Sequence, residues 1–296
     1  MGTKRHTVLI TGATAGIGRH MALHLARRGH HVIAAGRRQH ALDTLREEAE
    51  GLKLDTIRLD VTDEDSVKAG HAATLELTAG YGVDVIVNNA GYGMAAPTIE
   101  TRDADLRKQF DTNVFGLMSV TRVFSQEMLQ RRQGRIVNIS SVGGRVTLPF
   151  MGVYNSTKYA VESLSDAMRR ELHALGIQVA LVEPGLIRSE FSERTMEWVD
   201  QYKDSTSPFA SVYARSEEMR RWSDSQAADP LCVSQAVQHA IEARRGRPRY
   251  LVPFSSRIMV WLASLLPTRL LDFVMVRALG LSAPKPAELP PATSAA

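Results

Sequence analysis

Tyr154 and Lys158 lie four residues apart in the run Tyr154-Asn155-Ser156-Thr157-Lys158, and Ser141 stands thirteen residues before the tyrosine. On a helix, positions four apart share a face, which sets an ammonium beside a phenol. A neighbouring positive charge favours phenolate and draws the tyrosine pKa down from its ordinary value of about 10. Proton exchange with an alcohol or ketone near neutral pH needs that property. The spacing alone is common on amphipathic helices, so its weight comes from what stands upstream.

Upstream, Thr11-Gly12-Ala13-Thr14-Ala15-Gly16-Ile17-Gly18 follows the apolar run Val8-Leu9-Ile10 and opens a helix. Glycines there allow a tight turn and close backbone approach to a pyrophosphate, whose charge the helix N-terminus favours. The next strand ends at Gly36-Arg37-Arg38. A site for NAD usually carries an acid about 20 residues past the glycines, to hold the ribose 2′-hydroxyl. Gly36 occupies that position and a cation follows. A guanidinium pairs bidentately with phosphate, so Arg37 predicts the 2′-phosphate of NADP, with NAD less favoured and Arg38 a surface residue. Asp60-Val61 is expected beside the adenine.

Short apolar runs alternate with amphipathic stretches, the pattern of βαβ units around a parallel sheet. Strands are expected near 7–11, 31–35, 55–59, 83–88, 134–140, 177–182 and 249–252. Helices are expected near 17–28, 39–50, 63–79, 103–131, 153–175 and 230–244. Residues 1–281 read as one α/β domain. The pattern loosens over 190–229, where Phe191, Trp198, Tyr202, Phe209, Tyr213 and Trp222 mix with charges, and a substrate-covering irregular insertion is expected there. Residues 255–280 are strongly apolar but hold Pro267, Arg269, Asp272 and Arg277, which argues against a spanning helix. They read as core or dimer-interface helices, or as an amphipathic pair on a membrane or over a greasy channel. The Pro- and Ala-rich residues 282–296 are expected to be disordered.

The 296 residues, 44% of them hydrophobic, suffice for a sizeable core. The single cysteine, Cys232, excludes an internal disulfide and fits a reducing compartment, and no secretory signal opens the chain. A cytoplasmic protein is expected, with peripheral membrane association left open. The formal charge of +4 includes no dense basic stripe, which excludes nucleic acid as the expected partner. His20 and His24 share a helix face at a spacing that can bind metal, but no third ligand is evident and no metal is expected. His30 and His31 read as structural.

In order along the chain come the glycine turn, Asn88-Asn89-Ala90-Gly91 after the fourth strand, Asn113, Ser141, Tyr154, Lys158, and Pro184-Gly185 after the sixth strand. This ordered set resembles the classical short-chain dehydrogenase/reductase family over about residues 5 to 190. The resemblance implies a Rossmann-like doubly wound parallel sheet of order 3-2-1-4-5-6-7 with helices on both faces. It further implies hydride transfer to or from a nicotinamide and a homodimer or homotetramer. It implies a catalytic set of Asn113, Ser141, Tyr154 and Lys158. Tyr154 would be the general acid/base, Lys158 would bond the nicotinamide ribose, Ser141 would bond the substrate oxygen, and Asn113 would hold a relay water. Cofactor contacts are implied at Gly12, Thr14, Gly16, Ile17, Gly18, Arg37, Asp60, Val61, Asn89, Ala90, Gly91, Asn113, Tyr154, Lys158, Pro184, Gly185, Ile187 and Ser189.

Two departures stand out. Ser189 takes the place of a frequent threonine, and Ala15 that of a basic residue common in NADP-using members. The tail resembles members acting on steroids and retinoids, so a bulky lipophilic ketone or secondary alcohol is the leading substrate class. A small polar sugar or an acyl thioester is the alternative. A dinucleotide-binding regulator without turnover, or an epimerase of the extended branch, competes with the oxidoreductase. The intact Tyr154 and Lys158 disfavour the former, and the Gly-x-x-x-Gly-x-Gly spacing disfavours the latter.

Overall fold

A computed structural model describes residues 5–278 and 280–281. The expected disorder of 282–296 lies outside the described residues. Seven strands, β1 (Thr7–Thr11), β2 (His31–Gly36), β3 (Leu54–Arg58), β4 (Val85–Asn88), β5 (Gly134–Ile139), β6 (Ile177–Pro184) and β7 (Arg249–Val252), form one sheet of order β3-β2-β1-β4-β5-β6-β7. Every pairing is parallel.

Parallel strands covered on both faces need apolar side chains at odd and even positions alike. In β1, Val8 and Ile10 point to one face and Leu9 to the other, all fully buried. The register sets Val8 opposite Val32 and Val85, and Leu9 opposite Ile33 and Ile86, so each face is continuous across the strands. One face is covered by α1 (Gly16–Arg27), α2 (Gln39–Glu48) and α11 (Leu231–Glu242), through Met21, Leu25, Leu45, Val233 and Val237. The opposite face is covered by α3 (Glu64–Leu77), α5 (Gly116–Phe124) and α7 (Gly152–Glu171), through Val67, Val120, Phe124, Val161 and Met168. Asp63 caps α3, its carboxylate accepting from the amides of Asp65 (2.9 Å) and Ser66 (3.1 Å).

The expected helix over 103–131 is broken into α4 (Asp103–Phe110), a π-helical turn Asp111–Phe115, α5, and α6 (Gln126–Arg131). At the π turn the Gly116 amide donates five residues back, to Asp111. The α7 helix stops at Glu171 and runs through a 3-10 turn, His173–Leu175, into Gly176.

Residues 190–229 are not irregular. They form α8 (Glu190–Tyr202), α9 (Ala210–Ala214) and α10 (Ser216–Gln226), with an apolar cluster of their own around Ala95, Val199 and Tyr213. Tyr202 donates to Asp105 (2.6 Å) and Tyr213 to Glu100 (2.9 Å), which ties these helices to the segment after β4. The last helices, α12 (Phe254–Leu265) and α13 (Thr268–Ala278), bury only Ser256 and Val260 between them. Core packing, one of the readings of this stretch, is thus confined to Val260 and to Ser256 against Gly185. Phe254, Trp261, Leu265 and Phe273 are each more than 60% exposed. No described helix is long and apolar enough to cross a membrane.

Candidate active site

Three elements end at one edge of the sheet and bring the expected catalytic side chains together. Strand β5 runs into Ser140-Ser141, α7 presents Tyr154 and Lys158 one turn apart, and the π turn carries Asn113. Successive residues of an extended chain face opposite ways, which separates the two serines. The Ser141 hydroxyl meets the Tyr154 hydroxyl and accepts from the Gly143 amide at 3.0 Å, while Ser140 turns toward Glu162.

Tyr154 is buried, and burial pushes its phenol up to about 12, with the Ser141 hydrogen bond pulling the other way. This corrects the expectation that Lys158 makes the phenol unusually acidic. The lysine Nζ donates to the Ile139 carbonyl at 2.8 Å and lies 5.8 Å from the centre of the phenol ring. Burial also pushes the Lys158 amine down to about 8, with Glu162 drawing it back up. Desolvation dominates at both groups, and neither acts on the other's acidity.

The Asn113 amide is fully used within the chain. It donates to the Tyr92 carbonyl (3.0 Å) and the Thr157 hydroxyl (3.1 Å), and its oxygen accepts from the Tyr92 amide (3.1 Å). The π turn thus anchors the Gly91-Tyr92 loop to α7. Thr157, Tyr92 and Gln109, which donates to the Tyr92 carbonyl at 2.7 Å, were not singled out from sequence. Thr157 was discoverable, since it adjoins Lys158 and falls on the inner face of α7.

At the glycine turn, Gly12 has φ of +65°, and a Cβ there would come within 2.9 Å of the Ala90 Cα. A Cβ on Gly18 would lie 2.2 Å from the Gly12 carbonyl oxygen and 2.5 Å from the Asn89 Nδ2. Asn89 donates to the carbonyls of Thr11 (2.9 Å) and Gly12 (3.2 Å), and Thr11 accepts from the amides of Asn89 and Ala90. Asn89 and Ala90 therefore brace the turn. No side chain caps α1 at Ala15 and no acid stands in its first turn, which leaves its N-terminal amides available to an anion. Ile17 packs on the core, and Ser189 caps α8 with its side chain against Gly16. A cleft of about 480 Å³ begins at Thr14, Gly16 and Ser189 and runs along the outer flank of α1 to Arg27 and Glu48, away from Tyr154.

Arg37 is 66% exposed, its guanidinium 3.9 Å from the Asp60 carboxylate. A Cβ at Gly36 would sit 2.5 Å from the Thr14 Cγ2, so an acid at that position has no room. Val61 packs against Gly116, and Gly91 against Asn113. Gly185 follows Pro184 into a backbone bond with Val252, and Ile187 bridges to Ala228. A bare turn, an uncapped helix and an exposed guanidinium at the carboxyl ends of the strands fit a dinucleotide. Among the described residues no group of His, Cys, Asp and Glu is placed to hold a metal. His20 and His24 bond Ser234 and Gln238 instead.

The model of the short chain dehydrogenase family matches residues 6–200. The chain belongs to that family. Membership makes it a nicotinamide-dinucleotide-dependent oxidoreductase. The chain is 34% identical over 280 residues to human Retinol dehydrogenase 16, covering 90% of this chain and 87% of the relative. It is 32% identical over 298 residues to rat (Rattus norvegicus) 17-beta-hydroxysteroid dehydrogenase type 6, covering 95% and 90%. Among solved structures, a short chain dehydrogenase/reductase from Burkholderia phymatum in complex with NAD superposes with a TM-score of 0.75 at 28% identity, covering 93% of this chain and 96% of that one. A serine dehydrogenase complexed with NADP+ gives 0.72 at 30% identity, covering 84% and 95%.

Proposed function

We propose that this oxidoreductase interconverts a bulky lipophilic ketone and its secondary alcohol, with NADP(H) as the preferred cofactor. The observation that carries the reading is the meeting of the Ser141 and Tyr154 hydroxyls, with Lys158 one helical turn on, beneath an aromatic lid. Phe191 of α8 lies 5.5 Å from the Tyr154 ring, and Trp198 stacks on Tyr92 at 5.9 Å. These rings offer an apolar surface to a flat hydrocarbon skeleton. The names of the retinol and hydroxysteroid dehydrogenase relatives support the same substrate class.

Gly12, Gly16 and Gly18, with the free amides of α1, would hold the pyrophosphate, and Arg37 the 2′-phosphate. Lys158 would hold the nicotinamide ribose, with Ile187 and Ser189 near the carboxamide. Bound there, the dinucleotide supplies or accepts hydride. Ser141 donates a hydrogen bond to the substrate oxygen and stabilises charge gathering on it. Tyr154 delivers the proton to that oxygen, and its raised pKa keeps the acid loaded at neutral pH. In the reverse direction the same oxygen takes the proton from the alcohol. The uncovered apolar face of α12 and α13 is assigned to contact with further copies of the chain.

The test is turnover of NADPH by the purified protein against steroid, retinoid and aliphatic ketones, with Tyr154→Phe beside the wild type. Oxidation of NADPH by a lipophilic ketone, lost in the variant while NADPH binding persists, is the expected result. Undiminished activity in Tyr154→Phe removes the proton-donor assignment.

A further inference from the structure

The face of α7 that carries Tyr154 and Lys158 continues, at the same spacing of four, to Glu162 and Asp166. Glu162 is 7% exposed, and opposite it on β6 stands Glu183, wholly buried in a strand whose other buried residues are apolar. A lone carboxylate inside an apolar sheet costs several kcal/mol unless it is paired or protonated. Two arginines approach but do not saturate the pair. Arg145 lies 3.4 Å from Glu183 Oε1, and Arg249 reaches Glu162 Oε2 at 3.0 Å and Glu183 Oε1 at 3.7 Å. Arg249 also gives its other nitrogen to Asp166 at 3.0 Å.

The remaining oxygens, Glu162 Oε1 and Glu183 Oε2, are buried with no hydrogen-bond partner, and the one hydroxyl beside Glu162, that of Ser140, can serve only one of them. Ionised carboxylates only accept, so two of them cannot satisfy each other. One proton between them would satisfy both. Burial raises both carboxyls above the usual range, the charge of Glu162 adds to the rise at Glu183, and Arg145 and Arg249 oppose it. On the other side, Glu162 is the acidic neighbour whose field raises the Lys158 amine. The charged groups facing the pair are thus Lys158 and Asp166 from α7, Arg145 from the segment after β5, and Arg249 from β7.

We propose that Glu162 and Glu183 share a single buried proton and act, as a pair of net charge minus one, to position Lys158 and keep it an ammonium. The pair touches neither substrate nor cofactor and works through the lysine. Its importance for turnover rests on the role given to Lys158 above, but the proton and the lysine charge are properties of the protein alone.

Two measurements on the ligand-free protein test this without turnover, so failure of the oxidoreductase reading would not be mistaken for failure here. Infrared spectra of wild type minus Glu162→Gln, and of wild type minus Glu183→Gln, should each show the stretch of a protonated carboxyl at neutral pH. In either variant the glutamine amide supplies the donor, and the remaining carboxylate ionises. A signal missing from either difference overturns the shared proton. NMR titration of the Lys158 ε position should give a midpoint no lower than wild type in Glu183→Gln, which leaves Glu162 ionised beside the lysine. In Glu162→Gln and in Glu162→Gln/Glu183→Gln it should fall by about one pH unit, as expected for loss of a neighbouring opposite charge. An unmoved midpoint in the variants lacking Glu162, or a fall in Glu183→Gln, refutes the positioning role. If the double variant does not fold, the infrared differences of the single variants decide.

Discussion

Replacing Lys158 by methionine should destroy activity and stabilise the ligand-free protein. The amine is pushed from its ordinary 10.5 down to about 8, chiefly by burial. At about 1.4 kcal/mol per pH unit, holding it charged in the folded state costs roughly 3 kcal/mol. Methionine removes that cost but also the bond to the Ile139 carbonyl, worth about 1 kcal/mol for the neutral amine. The net gain is roughly 2 kcal/mol at pH 7, or about 4 °C in melting temperature for a chain of this size. Between pH 8 and 10.5 the unfolded lysine binds more proton than the folded one, so wild-type stability rises there relative to the variant. The gap should close through that window and reverse slightly above it, where only the lost hydrogen bond remains. Thermal melts of both proteins, followed by circular dichroism from pH 7 to 10.5, measure it. Differencing cancels the titrating groups on which Lys158 does not act. A variant no more stable than wild type at pH 7, or a gap constant across the window, refutes the reasoning that burial dominates this site.

Arg37→Asp should move the preference from NADPH toward NADH by about 10- to 100-fold in the ratio of kcat/KM, since a charged hydrogen bond to a phosphate contributes about 1.5–3 kcal/mol. An unchanged ratio would take NADP preference away from Arg37. Gly18→Ala places a methyl 2.2 Å from the Gly12 carbonyl and 2.5 Å from Asn89. It should weaken dinucleotide binding, read by fluorescence titration, by at least tenfold, and wild-type affinity would show that the turn can relax.

The sheet was legible because parallel strands buried on both faces must be unbroken apolar runs, and Val8-Leu9-Ile10 or Val85-Ile86-Val87 can hardly be anything else. The meeting of Ser141 with Tyr154 was expected from the family resemblance, since strand alternation says only that one of Ser140 and Ser141 faces the tyrosine. Less accessible was whatever depended on partners distant in sequence. The helices of residues 190–226 draw stability from tyrosines bonded to Glu100 and Asp105, about a hundred residues away. Their own pattern of scattered aromatics and charges does not announce it. The π turn around Asn113 is likewise fixed by the Tyr92 loop and Thr157 rather than by its own residues. The apolar tail was visible, but whether it is covered cannot be read from hydropathy, because a core helix and an exposed interface helix differ only in what packs on them.

The acidities show why identity and spacing alone gave the wrong sign for Tyr154. Spacing says that a cation stands one turn from a phenol, and Coulomb's law then lowers the phenol. Depth enters as a separate variable that the sequence does not display. Along α7 the stripe Tyr154, Lys158, Glu162, Asp166 runs from the interior to the surface. At the buried end each group moves toward its neutral form: the phenol and the Glu162 carboxyl up, the amine down. At Asp166 burial still raises the carboxyl, but bonds from Arg169 and the charges of Arg249 and Arg170 outweigh it and hold it low. Arg249 reaches Glu162 and Asp166 alike at 3.0 Å, but Asp166 is less deeply buried and gains Arg169 and Arg170 besides, and there the sign changes. The same helix face therefore holds a loaded acid at one end and a fixed anion at the other: depth decides at Tyr154, and the arginines decide at Asp166.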